Sequence, residues 1–133
     1  MAIKWTSDLS VGVEKIDSQH IVWFEKASNL FEAGKQGKSK EVIAEMFDFL
    51  EEYTQQHFRD EEQYMAQIKY PDIEKQKTAH KNFVEELTKL KKEFEESGGK
   101  ISVIINANKM IINWLTNHII KMDKQIGVYV KSL

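Results

Sequence analysis

The chain has 133 residues, 41% hydrophobic and 30% charged, which is the size and balance of one soluble globular domain spanning 1–133. A formal net charge of −2 leaves no electrostatic footprint for nucleic acid or an anionic membrane. No cysteine is present, so disulfides, thiolate-bound zinc and iron–sulfur clusters are excluded and any metal must use nitrogen and oxygen ligands.

One proline and six glycines punctuate few turns, which favours long helices over many short strands. The first residues, Met1 to Trp5, have no apolar signal core, and a cytoplasmic location is expected. Residues 1 to about 17 carry no sustained period and read as an extended arm, with Trp5 and Val11 or Val13 tucked against the rest. Asp17 or Ser18 then caps a first helix to about Gly34, with the inner stripe His20, Trp23, Ala27, Leu30. Ser39 caps a second helix to about Ile68, whose stripe is Ile43, Met46, Leu50, Tyr53, His57, Glu61, Tyr64, Ile68. Pro71 stops it, and Asp72 caps a third helix with Ile73, Gln76, His80, Phe83, Leu87, Leu90 and Phe94 aligned. Ser97-Gly98-Gly99 ends that helix. The fourth runs from about Ile101 to near Lys121, with Ile101, Ile104, Asn108, Ile111, Leu115, His118 and Met122 inward. It is the most apolar stretch, but Asn106, Asn108, Lys109, Asn113, Asn117 and His118 interrupt it, so it reads as a buried helix and not a membrane span. Four such segments with short connectors predict an all-α, antiparallel up-down-up-down four-helix bundle with an N-terminal extended arm.

The four histidines, His20, His57, His80 and His118, each fall on the apolar stripe of a different helix. Burying one polar group unpaired costs about 2–7 kcal/mol, and more when it is charged. A single buried histidine is usually a hydrogen-bonded core residue. Four of them, with a glutamate among them, are satisfied together by a metal centre. His57 and Glu61, like Gln76 and His80, are four residues apart and share a helix face. His118 and Asp123 are five apart, so Asp123 contributes only if the helix ends, kinks or bulges near Lys121. Four imidazoles and two carboxylates exceed one tetrahedral zinc and fit two metals with bridging carboxylates. The mixed donors suit non-haem iron. The Glu-x-x-His pairs of ferritin-type sites and the His-Glu-x-x-His of zinc proteases are both missing.

The motifs run in order: Trp5 with Leu9-Ser-Val-Gly12, Ile16-Asp-Ser-Gln-His20, then His57-Phe-Arg-Asp-Glu61-Glu. Tyr70-Pro-Asp72, Gln76-Lys-Thr-Ala-His80 with Phe83, Trp114-Leu-Thr-Asn-His118-Ile and Asp123-Lys follow. Over nearly the whole chain this resembles the hemerythrin family, specifically its single-domain bacterial members. The resemblance implies a four-helix bundle holding two iron ions that bind molecular oxygen reversibly. One iron would take His20 and His57, and the other His80, His118 and the position held here by Gln76. Glu61 and Asp123 would bridge them together with an oxo or hydroxo group. Oxygen would bind end-on at the less crowded iron and be held as a hydroperoxide. Trp23, Leu115 and Ile119 would wall the oxygen pocket, a role compatible with core packing, which is the main role expected of Phe83 and Trp114.

Gln76 departs from that pattern, because an amide oxygen is a poorer iron donor than an imidazole. It could bind weakly, hold a water in the vacant place, or leave one iron loosely bound. A retained di-iron site, with Gln76 as a weak ligand or a water-holding neighbour, is the expectation. The function expected is oxygen carriage, storage or delivery by a monomer in a bacterial cell, with no enzyme activity beyond weak peroxidase or ferroxidase turnover. The alternative is a redox enzyme acting on peroxide, ferrous iron or nitric oxide at a site opened by Gln76. A bundle with vestigial histidines is the third reading, disfavoured by the cost of burying them without metal.

Overall fold

The computed structural model describes residues 5–133; residues 1–4, the start of the expected arm, lie outside the described part. Four long helices dominate it: α1 Glu14–Lys35, α2 Lys40–Gln67, α3 Ile73–Glu96 and α4 Ile101–His118. A π-helical turn, Ile119–Asp123, joins α4 directly to a fifth helix, α5 Lys124–Lys131. Helices α1 and α2, α2 and α3, and α3 and α4 pack as neighbours, and α4 closes the ring against α1. The arrangement is the expected antiparallel four-helix bundle.

Local chemistry sets the boundaries. Ser39 caps α2 as expected, its hydroxyl accepting from the Val42 amide at 3.3 Å. Lys69 takes a left-handed φ of 55° after α2, so the Tyr70 amide reaches back to the Met65 carbonyl before Pro71 redirects the chain. Asp72 stands at the N-cap of α3, but its side chain makes no capping bond. After α3, Gly98 and Gly99 adopt φ values of 75° and 88°, open to glycine without strain.

The start of α1 corrects the sequence-based boundary. The helix begins at Glu14, and Asp17 and Ser18 lie inside it. Asp17 turns outward along the arm instead, accepting from Ser10 Oγ at 2.6 Å and the Val11 amide at 2.8 Å. A carboxylate one turn into a helix can satisfy preceding amides as well as those ahead of it, which spacing alone does not separate. The arm is not wholly extended, since Ser7–Leu9 forms a 3-10 turn. Leu9 and Val11 are buried, while Trp5 and Val13 are half-buried against the core. The arm is clasped by α5, where an added Cβ on Gly127 would stand 1.7 Å from the Val11 carbonyl oxygen.

In an antiparallel bundle the N-terminal halves of α1 and α3 meet the C-terminal halves of α2 and α4. The four histidines therefore collect at one end. Leu30, Phe47, Leu50, Leu87, Phe94 and Ile104 fill the other end with apolar side chains. Two stripe positions differ from expectation: Ile101 is half exposed at the start of α4, and Met122 is only half-buried. The apolar face of α2 is also wider than one stripe and takes in Phe47, Thr54, Phe58 and Met65. Among the described residues no helix is long and apolar enough to cross a membrane.

Candidate metal centre

Each helix brings its part of the site from the stripe that also builds the core. His20, on the second turn of α1, and His57, on α2, are fully buried, as are Glu61 and Asp123 to within 1%. His80, on α3, and His118, at the end of α4, are 2% and 5% exposed. The π turn resolves the spacing problem of Asp123. One extra residue in the turn rotates position 123 back onto the His118 face, so His118 Nε2 and Asp123 Oδ1 lie 3.1 Å apart.

The two carboxylates divide their oxygens between two groups of imidazoles. Glu61 Oε2 lies 3.4 Å from His57 Nε2 and 3.7 Å from His20 Nε2, while its Oε1 lies 3.2 Å from His80 Nε2. Asp123 Oδ2 lies 3.2 Å from His20 Nε2, and its Oδ1 faces His118. Two four-residue clusters result: His20, His57, Glu61, Asp123, and Glu61, His80, His118, Asp123. Within each, one donor atom per residue lies within 4.8 Å of all the others. None of the four Nε2 atoms makes a hydrogen bond, and neither Glu61 oxygen does. So many orphaned, buried donors aimed at one volume are costly without a cation and suit one well.

Behind this ring the imidazoles are oriented from outside. His57 Nδ1 meets Gln19 Oε1 at 2.6 Å, and Gln19 Nε2 donates on to Asp60 Oδ2 at 2.8 Å. His80 Nδ1 meets Glu62 Oε2 at 2.8 Å. These acceptors fix the proton on Nδ1 and leave the Nε2 lone pair facing inward. Phe58 stacks on His80 with centroids 3.8 Å apart, and Trp114 stacks on His118 at 4.3 Å. Gln19 and Glu62 carried no role in the sequence reading. Each stands beside a stripe residue, one step off the inner face, and only their adjacency to His20 and Glu61 pointed to them.

Trp23, Leu115 and Ile119 are all fully buried. Trp23 sits 4.9 Å from the His57 ring and 6.0 Å from His20, with its indole N–H donated to Thr54 Oγ1 at 2.9 Å. Leu115 and Ile119 flank His118, one turn before it and directly after it. Gln76 also enters the site: it is 1% exposed, and its amide nitrogen donates to Asp123 Oδ1 at 2.9 Å.

The electrostatics of the site are set by its buried carboxylates and imidazoles. Burial pulls the His20 imidazole down, but Asp123 and Glu61 outweigh it and raise its pKa from 6.5 to about 9. Burial alone would raise Glu61; the imidazoles of His20, His57 and His80 hold it well below the usual carboxylate range. Asp123 is likewise lowered, by His118 and His20 against burial and the Glu61 charge. In His80, Glu61 and Glu62 overcome burial and push the pKa up. Raised imidazoles facing lowered carboxylates mark the negative field that a bound cation would meet.

The family model described as the Hemerythrin HHE cation binding domain matches residues 11–129. A bacteriohemerythrin of Stenotrophomonas maltophilia is 30% identical over 128 residues, covering 96% of this chain and 81% of its own. One from Clostridium acetobutylicum is 29% identical over 129 residues, with 91% and 95% covered. A myohemerythrin of Theromyzon tessulatum is 30% identical over 116 residues, with 87% and 83% covered. A crystal structure of wild-type hemerythrin superposes with a TM-score of 0.86 at 27% identity, over 98% of both chains. In fold, in the order of its motifs and in this match along 11–129, the chain belongs to the hemerythrin family.

Proposed function

We propose that this centre holds two iron ions and that the protein binds molecular oxygen reversibly, for carriage, storage or delivery in the bacterial cytoplasm. The observation that carries the reading is the split of the two carboxylates: Glu61 turns one oxygen toward His20 and His57 and the other toward His80, and Asp123 turns one toward His20 and the other toward His118. That split supports a pair of metals held by shared carboxylates over one tetrahedral ion. Iron, when bound, supplies the electrons that make oxygen binding reversible.

The chain's own residues do the rest. His20, His57, His80 and His118 would hold the pair, with Gln19 and Glu62 fixing the rings of His57 and His80. Trp23, Leu115 and Ile119 would wall the binding pocket and exclude water, which limits proton delivery and loss of the bound state. Redox turnover at the same site is the second reading, favoured by Gln76 standing where a third imidazole was expected.

Stopped-flow mixing of anaerobically loaded ferrous protein with oxygen tests both. A visible absorbance that rises and reverses when oxygen is removed supports the carrier. Rapid irreversible conversion to the ferric state with peroxide consumption supports turnover. No absorbance change in fully loaded protein overturns both.

A further inference from the structure

We infer that Gln76 is an amide clamp on Asp123 and not a metal ligand, so that the chain presents two metal positions with equal protein donor sets. The inference rests on the two-metal reading above and adds how its second half is built.

Gln76 lies one turn before His80 on the inner face of α3, and its amide nitrogen is 2.9 Å from Asp123 Oδ1. An amide nitrogen is a donor only and has no free lone pair for a metal. Its orientation follows from chemistry, because the turned-over amide would set its carbonyl oxygen against a carboxylate oxygen, two acceptors face to face. The partner needs holding. Asp123 ends a π turn, the least regular backbone of the site, and must aim Oδ2 toward His20 while Oδ1 faces His118. The Gln76 N–H fixes that rotation from α3, an element the turn is not part of.

The donor sets then balance. His20 and His57 cluster with Glu61 and Asp123, and His80 and His118 cluster with the same two carboxylates. With Gln76 held to Asp123 through its N–H and its Oε1 left as a hydrogen-bond acceptor, the His80–His118 position keeps a coordination place that a third imidazole would have closed. Gln76 Oε1, on the same amide, is buried without a partner and offers an acceptor to a small ligand bearing a proton. The site would accept a small exogenous ligand on either metal.

Mössbauer spectroscopy of the iron-loaded diferrous protein, with iron content measured on each sample, tests this in wild type, Gln76→His and Gln76→Leu. One quadrupole doublet is expected for wild type and two of equal area for Gln76→His. Gln76→Leu should keep one doublet while its metal affinity falls by about 10- to 100-fold, the usual effect of removing a group that holds a ligand. Two equal doublets in wild type that merge in Gln76→Leu would make Gln76 a ligand and overturn the inference alone, as would a Gln76→His spectrum unchanged from wild type. Failure of wild type to take up two irons per chain would overturn the two-metal reading and the inference with it. If Gln76→Leu does not fold, the wild-type and Gln76→His spectra still decide.

Discussion

Metal uptake by this protein should release protons, and affinity should climb steeply with pH. A metal needs the Nε2 lone pair of a neutral imidazole. In the metal-free fold that atom on His20 faces Asp123 at 3.2 Å and Glu61 at 3.7 Å, and the His20 pKa stands at about 9. At about pH 7 the metal must displace a proton held about two units above the ambient pH. At ~1.4 kcal/mol per unit this costs ~2.7 kcal/mol, or about 100-fold in affinity relative to a fully neutral imidazole and about 50-fold relative to about pH 9. His80, also raised, adds in the same direction. Stability without metal runs the other way. The raised pKa of His20 contributes stability that is fully present below its unfolded value of 6.5 and lost as pH rises through about 9. The lowered pKa of Glu61 contributes stability present above its unfolded value of 4.5 and lost as pH falls through the folded value. The metal-free protein should therefore melt highest between these two unfolded values and lose stability toward pH 9, where the loaded protein gains most over it. Calorimetric titration against a competing chelator, in buffers of different ionisation enthalpy, counts the protons released at each pH. Affinity flat between about pH 7 and pH 9, or no proton release at about pH 7, would refute a carboxylate-held imidazolium at His20.

Replacing His57 by alanine should leave the His80–His118 position bound and weaken the other, seen as metal content falling toward half and a lower Tm for the loaded protein; equal loading would contradict its assignment. Glu62→Gln, which removes the charged acceptor behind His80, should weaken metal binding by about 10-fold or more with little change in the metal-free Tm, measured by chelator competition. Gly127→Ala, whose Cβ would meet the Val11 carbonyl oxygen at 1.7 Å, should cost about 3 kcal/mol in denaturant unfolding and free the N-terminal arm for proteolysis. Deleting Lys121, an exposed residue of the π turn, should relax that turn to α-helix and keep position 123 on the His118 face. The deletion protein should fold and load metal, whereas deleting Asn113 from the regular part of α4 should abolish both, as read by circular dichroism and iron content.

The parts of the structure legible in the sequence are those where one side chain answers one neighbour at helical spacing. His57 with Glu61 and Gln76 with His80 follow from the four-residue repeat alone, and Ser39 and Gly98 mark their helix ends by local chemistry. Asp123 was half legible. Its five-residue offset from His118 demanded a distortion near Lys121, and the π turn at Ile119–Asp123 supplies it, but nothing in the spacing showed that helix would resume through Lys131. The α1 boundary was missed because Asp17 bonds backward to the arm, a tertiary choice that a capping rule cannot rank. The role of Gln76 was illegible for the same kind of reason. A glutamine in place of an imidazole can coordinate, hold water or hold a neighbour, and what separates these is the position of Asp123, a residue 47 positions away on another helix. Once Asp123 Oδ1 lies beside the amide, the amide meets it through its N–H and turns its one acceptor, Oε1, elsewhere in the buried site. The sequence states the donor inventory, then, while the rotation of one carboxylate decides how that inventory is shared between the two donor clusters.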